Sequence, residues 1–63
     1  EEALTGPIAR GDTETVLGHV AALKNHLPHL LSAYQALGIL TADLALQSGS
    51  LNPTEHGDIK KII

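Results

Sequence analysis

Apolar residues recur every three or four positions in the first half of the chain, as on one face of a helix. The residues that share this face are Val16, Val20, Leu23 and Leu27. Asp12 precedes the stretch, and its short carboxylate can accept hydrogen bonds from the free N–H groups of a first turn. The pattern therefore predicts a helix from about Thr13 to His26, with Asp12 as its N-cap.

The next stretch, from about Pro28 to Ser48, is predicted to form a second helix, since Pro suits a first helical position and Gly49 suits a stop. It carries two apolar stripes. The broader stripe comprises Leu30, Ala33, Tyr34, Leu37, Leu40 and Leu44. The flatter one comprises Leu31, Gly38, Ala42 and Ala45, with Ile39 and Leu46 extending the apolar surface.

A third helix is predicted from about Pro53 to the end of the chain. Asn52 can cap it, Pro53 fits its first position, and Glu55 can reach back as in a capping box. Gly57 weakens this helix by about 1 kcal/mol relative to Ala. The helix should bury Ile59, Ile62 and Ile63. No strand-like alternation occurs, so the sequence predicts an all-α bundle of about three helices.

A central helix with two apolar stripes needs two neighbours, and the third helix is short. The small residues of the flatter stripe permit close approach of another helix, so we expect a second copy, or a missing part of the chain, to pack there. The expected contact residues are Leu31, Gly38, Ile39, Ala42, Ala45 and Leu46. Gly38→Glu or Ala42→Glu should then dissociate or unfold the oligomer. The alternative is that the third helix covers this stripe.

Length and composition restrict the class of protein. Sixty-three residues form one domain at most, and because the chain has no cysteine, no disulfide can stabilise it. Four Lys and Arg against seven Asp and Glu give a net charge of -3, and one aromatic residue offers no stacking platform, so nucleic-acid binding is not expected. No apolar run is long enough for a membrane span, which favours a soluble, cytoplasmic protein.

The two ends of the chain favour a fragment of a longer protein. Residues 1–4 resemble the last turn of a preceding helix, and the sequence stops on two isoleucines without a polar tail. We therefore expect further sequence before Glu1.

The segment TGPIARGD is the most distinctive part of the sequence. Gly6 and Pro7 break any helix that arrives from the N-terminus. Arg10, Gly11 and Asp12 also spell an adhesion tripeptide, although Asp12 is better used as a cap. Arg10 lies beside a helix N-terminus and could hold an anion there. The negative charge of Asp12 at the same helix end disfavours an anion. A solvated Arg in a turn is therefore the simpler interpretation.

Other candidate chemistry is sparse. His19 and His26 lie two turns apart, so they do not share an ion without further ligands, and no metal site is predicted. Tyr34 belongs to the broader stripe and is interpreted as a core or interface residue with its hydroxyl at the edge. The chain has neither a Ser/His/Asp arrangement nor a G-x-G-x-x-G loop, and so it cannot bind a dinucleotide by itself.

The chain resembles a known family over two long segments, ALTGPIARGDTETVLGHVAAL and LLSAYQALGILTADLALQSGSLNPTEHGDIKKII. These are similar to the helical C-terminal domain of Rossmann-like oxidoreductases related to pyrroline-5-carboxylate and ketopantoate reductases, in the 6-phosphogluconate dehydrogenase C-terminal-like superfamily. Within it the nearest group carries a domain of unknown function. The pattern comprises T-G-P-x-x-R-G-D, a helix with His19, Tyr-x-x-Leu-Gly from Tyr34, and Leu-x-Pro before the last helix.

The resemblance implies that a nucleotide-binding Rossmann domain, which would hold NADP, precedes this domain in the parent protein. It also implies that the helical domain supplies a dimer interface and one wall of the substrate cleft. The residues that match the motif, and would shape that wall, are Thr5, Gly6, Pro7, Arg10 and Asp12. The alternative is a free-standing helical interaction module without catalytic role.

Overall fold

The computed structural model describes residues 6–63, and Thr5 and the helical turn expected over residues 1–4 lie outside the described residues. Three α-helices follow one another: α1 (Thr13–His26), α2 (Leu31–Ser48) and α3 (Pro53–Ile62). A 3-10 turn, Pro28–Leu30, joins α1 to α2. No strand occurs within residues 6–63, so the all-α prediction is confirmed.

The predicted capping box of α3 and the predicted end of α2 at Gly49 are confirmed. The side chain of Asn52 accepts a hydrogen bond from the Glu55 N–H at 2.8 Å, and the Glu55 carboxylate accepts one from the Asn52 N–H at 2.9 Å. Gly49 ends α2 in the left-handed region, at φ 85°, and the Ser50 N–H closes onto the Ala45 carbonyl at 2.9 Å. These bonds satisfy backbone groups that the helix ends leave unpaired.

The expected start of the second helix at Pro28 needs correction. The Leu30 N–H bonds to the Leu27 carbonyl at 2.9 Å, three residues back, so the segment turns as a 3-10 helix before α2 begins. Leu27 leaves the helical region, at φ -140° and ψ 58°, which separates this turn from α1. Leu27 is consequently exposed, although its spacing places it on the buried face of α1.

The core lies where the 6–12 loop, the three helices and the α2–α3 connection meet. Its buried apolar residues are Ile8, Ala9, Val16, Val20, Ala42, Ala45, Leu51 and Ile59. Leu31, Tyr34, Ile62 and Ile63 pack against it and are partly buried. Most of these side chains are small, so the helices approach one another closely and leave the bulkier leucines of α2 outside.

The flatter stripe of α2, expected to lie on an uncovered face, is inside this core. Ala42 and Ala45 are fully buried, and a Cβ added at Gly38 would lie 3.0 Å from the Ile63 Cδ1 and 3.2 Å from the Ile8 Cδ1. The third helix and the 6–12 loop therefore cover this stripe, as the alternative interpretation held. Gly38→Glu and Ala42→Glu thus place a charge in the core of one chain and test its folding rather than its association.

The other expected contact residues divide between surface and core. Leu31 and Leu46 are half-buried, and Ile39 is exposed. The broader stripe shows the opposite outcome to the flatter one, because Leu30, Leu37, Leu40 and Leu44 are all exposed. α2 therefore meets the rest of its own chain through the flatter stripe and Tyr34, and not through the leucines of the broader stripe.

Two helical glycines lie in open positions and weaken the fold. A Cβ added at Gly18 in α1 or at Gly57 in α3 would meet no atom within 4 Å. We expect Gly18→Ala and Gly57→Ala each to raise the free energy of unfolding by about 0.5–1 kcal/mol, because Ala restricts the unfolded chain and favours helix. Urea denaturation followed by circular dichroism measures this, and a loss of stability in both variants would contradict the helix assignments.

Candidate functional site

The segment GPIARGD folds into one tight turn that is anchored in the core. The Arg10 N–H bonds to the Gly6 carbonyl at 3.2 Å, and the Asp12 N–H bonds to the Pro7 carbonyl at 2.9 Å. Ile8 and Ala9, at the centre of the turn, are buried. Because the turn is closed by backbone bonds and held by apolar burial, its backbone has a defined position from which the outer side chains project.

Gly11 is required by this turn. Its φ of 69° lies in the left-handed region, where side chains other than that of Gly are strained. A Cβ added there would also lie 3.3 Å from the Leu51 Cδ2 and 3.5 Å from a Glu55 carboxylate oxygen. Gly11 thus brings the loop against the start of α3 and directs the chain into α1.

Asp12 caps α1, as predicted. Its Oδ1 accepts the Thr15 N–H at 3.2 Å, and its Oδ2 accepts the Thr15 hydroxyl at 2.7 Å. These two hydrogen bonds hold the pKa of Asp12 below its usual value, and the neighbouring charges of Arg10 and His19 lower it further. The carboxylate therefore stays ionised at the positive end of α1, where an anionic ligand would otherwise bind.

Arg10 lies on the outer side of the turn, with its side chain 58% exposed and its Nη2 3.8 Å from the Asp12 Oδ2. The Arg and Asp side chains therefore converge, whereas an adhesion motif presents them apart. Gly6 and Pro7 are half-buried beside them. The structure thus gathers Gly6, Pro7, Arg10 and Asp12 in one loop.

A histidine–tyrosine pair that the sequence did not predict lies on the same side of α1 as Asp12. The His19 Nδ1 is 3.3 Å from the Tyr34 hydroxyl, and the two rings meet edge to face with centroids 6.1 Å apart. Partial burial raises the pKa of Tyr34, so its hydroxyl stays protonated and can donate to the imidazole. No sequence signal joins these two residues, which lie fifteen positions apart on different helices.

A second polar cluster joins α2 to α3. The His56 Nε2 lies 2.7 Å from the Asp43 Oδ1, and the Lys60 Nζ lies 3.8 Å from the same oxygen. The hydrogen bond from His56 lowers the pKa of Asp43, with a smaller contribution from the charge of Lys60. The cluster links α2 to α3 at the surface, and no sequence motif marks it.

The described part of the chain offers no other site chemistry of these kinds. Among residues 6–63, no group of three His, Cys, Asp or Glu side chains converges as metal ligands would. Across the same residues, none of the helices has both the length and the apolar character that crossing a membrane requires.

Comparison with known proteins identifies a family. The family model described as "Domain of unknown function (DUF2520)" matches residues 1–41 of the 63, which take in the loop, α1 and the first part of α2. No curated protein matches the chain. No solved structure matches it either.

The loop geometry gives a stability prediction. We expect Gly11→Ala to lower the free energy of unfolding by about 2 kcal/mol, since it combines left-handed strain with the close contact to Leu51. Gly49→Ala is the matched control, because Gly49 has a similar φ of 85° but no atom within 4 Å of an added Cβ. Chemical denaturation compares the two, and an equal or smaller loss for Gly11→Ala would contradict the packed loop.

The cap gives a pH prediction. Because Asp12 and Asp43 both bind a proton less readily in the folded chain than in the unfolded one, stability should fall as the pH drops below about 4. Thr15→Val removes the hydroxyl donor and should raise the pKa of Asp12 toward 3.8. Carboxyl NMR titration measures both groups at once, so that Asp43 serves as the internal control. An unchanged pKa of Asp12 would exclude the cap geometry.

Proposed function

The chain belongs to the DUF2520 family, and we propose that it is the C-terminal dimerisation and substrate-cleft domain of an NADP-dependent oxidoreductase. The proposal starts from the resemblance carried by T-G-P-x-x-R-G-D, in which five residues correspond to the cleft wall of Rossmann-associated helical domains. Four of the five lie together in the anchored turn. The exposed guanidinium of Arg10 on that rigid turn is the observation that carries the proposal.

A cleft wall needs polar groups at fixed positions, since orientation of the substrate contributes much of the catalytic advantage. Arg10 supplies a permanent cation beside the Asp12 carboxylate. His19, on the same side of α1 as Asp12, and Tyr34 of α2 supply two groups that can form hydrogen bonds, with the His19 Nδ1 3.3 Å from the Tyr34 hydroxyl. A substrate docked over this side of α1 would meet charge and hydrogen-bonding groups in one row.

The chain's own residues do not fit the cofactor. A dinucleotide pyrophosphate is bound by a glycine-rich turn at a helix N-terminus, and the N-terminus of α1 is occupied by the Asp12 carboxylate. NADP would therefore bind to a Rossmann domain elsewhere in the parent protein, which supplies the hydride chemistry. A cytoplasmic location agrees with a chain free of cysteine.

A free-standing helical interaction module is the second candidate. The exposed apolar residues of α2 favour it, because an interaction module would use such a surface whether or not it belongs to an enzyme. The residues encoded upstream of Glu1 distinguish the two candidates: a strand followed by G-x-G-x-x-G supports the oxidoreductase, whereas a start codon or an unrelated linker supports the module.

The binding prediction follows from the position of the cofactor site. We expect the 63-residue chain to bind no NADPH by isothermal titration calorimetry, and the parent protein to bind it in the micromolar range or tighter. Hydrogen exchange of the parent should show protection of the 6–12 loop when NADPH is added, because the loop faces the cleft. The Lys60–Lys61 end of α3 serves as the control region and should not change.

Two results would contradict this proposal. Micromolar NADPH binding by the 63-residue chain would show that the cofactor site lies in this helical domain and not in a Rossmann domain. A parent protein that binds no NADPH would remove the oxidoreductase assignment and leave the interaction module.

A further inference from the structure

The end of α3 and the 6–12 loop share one contact surface on α2. Ile63, at the C-cap of α3, and Ile8, in the loop, both lie over Gly38. A Cβ added at Gly38 would be 3.0 Å from the Ile63 Cδ1 and 3.2 Å from the Ile8 Cδ1. Because the two isoleucines fill neighbouring space above the α2 backbone, departure of Ile63 would leave Ile8 without part of its packing.

The start of α3 supports the loop at a second point. A Cβ added at Gly11 would lie 3.3 Å from the Leu51 Cδ2 and 3.5 Å from the Glu55 Oε2. Leu51 is buried in the connection before α3, and Glu55 belongs to the first turn of α3. The backbone hydrogen bonds of the loop run within residues 6–12, so they shape the turn without attaching it to α2 or α3. Both of these anchors of the loop therefore involve α3 or the connection before it.

The third helix is itself weakly held. It has ten residues, fewer than the roughly 12–15 that an isolated helix needs to be even marginally stable in water. Gly57 lowers the helix propensity near its middle. Within α3, which the structure describes throughout, Ile59 alone is fully buried. A short helix with so few buried side chains is the kind of element that is released before the rest of a domain unfolds.

A polar cluster at the surface adds a hold on α3. The Asp43 Oδ1 of α2 lies 2.7 Å from the His56 Nε2 and 3.8 Å from the Lys60 Nζ. His56 and Lys60 are one turn apart on α3, so a single carboxylate contacts two successive turns. The Asp43 side chain is 53% exposed, so its contacts can be removed without opening the core.

The other end of the domain does not depend on α3. The 3-10 turn Pro28–Leu30 contacts α1 and α2 and has no contact with α3. The pair His19 and Tyr34 also joins α1 to α2. The described chain therefore has one end, at the 6–12 loop, that rests on α3 and another, at the 3-10 turn, that does not.

We infer that α3 is a releasable lock on the 6–12 loop. The loop is ordered while α3 is docked on α2, and the cluster of Asp43, His56 and Lys60 sets how often α3 is released. The inference rests on the proposed function for the role of the loop as a cleft wall, whereas the coupling itself is a property of this chain. Release of α3 would disorder the proposed wall without any group on α3 touching the substrate.

Amide hydrogen exchange of the 63-residue chain, followed by NMR, tests the inference through three amides. The Ile59 amide reports the state of α3. The Asp12 amide, which donates to the Pro7 carbonyl at 2.9 Å, reports the loop. The Leu30 amide, which donates to the Leu27 carbonyl at 2.9 Å, reports the 3-10 turn.

Asp43→Ala removes the acceptor that both α3 side chains contact. We expect it to speed the exchange of the Ile59 and Asp12 amides by the same factor, about threefold, because both exchange when α3 is released. The Leu30 amide should keep its rate. Gln47→Ala is the matched control, since Gln47 is exposed on α2 one turn after Asp43, and it should change none of the three.

A second variant tests the same coupling from the apolar side. Ile63→Val removes the Cδ1 that lies nearest to Gly38, and it should speed the exchange of the Ile59 and Asp12 amides about threefold without affecting Leu30. Ile39→Val is its control, because Ile39 is 38% exposed on α2 and the same methyl group is lost at the surface.

Three results would overturn the inference. Faster exchange at Ile59 with an unchanged rate at Asp12 would mean that the loop stays ordered when α3 leaves. An equal acceleration of all three amides would mean that the chain opens as one unit. An Asp43→Ala chain with no change at any of the three would mean that the cluster does not hold α3.

The proposed function and the lock fail in different experiments. If NADPH leaves the loop of the parent protein unprotected while Asp43→Ala still speeds the Ile59 and Asp12 amides together, the cleft assignment is wrong and the lock stands. If NADPH protects the loop but the Asp12 amide does not respond to Asp43→Ala, the lock alone is contradicted.

Discussion

The close contact of Ile8 and Ile63 over Gly38 determines how this small domain is arranged. Two isoleucine methyl groups come so near to the α2 backbone that even a Cβ would lie 3.0 and 3.2 Å from them. The contact joins the 6–12 loop and the end of α3 to the middle of α2. Once that side of α2 is filled, the leucines Leu37, Leu40 and Leu44 remain exposed.

The rigid 6–12 loop follows from the same packing. Ile8 reaches Gly38 from inside the turn, while the left-handed Gly11 lets the chain pass Leu51 and enter α1 at Asp12. The backbone of Arg10 is thereby held at the surface, because its neighbours in the loop are buried in the core. Core contacts and the proposed cleft wall therefore belong to one structural unit, and a substitution at Gly11 would disturb both.

Local signals predicted the helices well, because caps and stops depend on neighbouring residues. Asp12, Asn52 with Glu55, and Gly49 all act as expected at helix ends. Periodicity could not predict which stripe of α2 faces inward, since both stripes are apolar and the choice depends on how closely other segments approach. The flatter stripe is buried because Gly38 and Ala42 are small enough for the isoleucine side chains and α3 to pack closely against them. The pair His19–Tyr34 and the cluster at Asp43 were missed because each joins residues more than twelve positions apart.

A nuclear Overhauser spectrum of the chain with labelled methyl groups shows which side of α2 packs against Ile8 and Ile63. Because Gly38 is buried under both isoleucines, we expect cross-peaks from its Hα protons to the δ1 methyl groups of Ile8 and Ile63. Cross-peaks from those methyl groups to Leu37 and Leu40, with none to Gly38, would mean that the leucines of α2 face the core and would refute this packing.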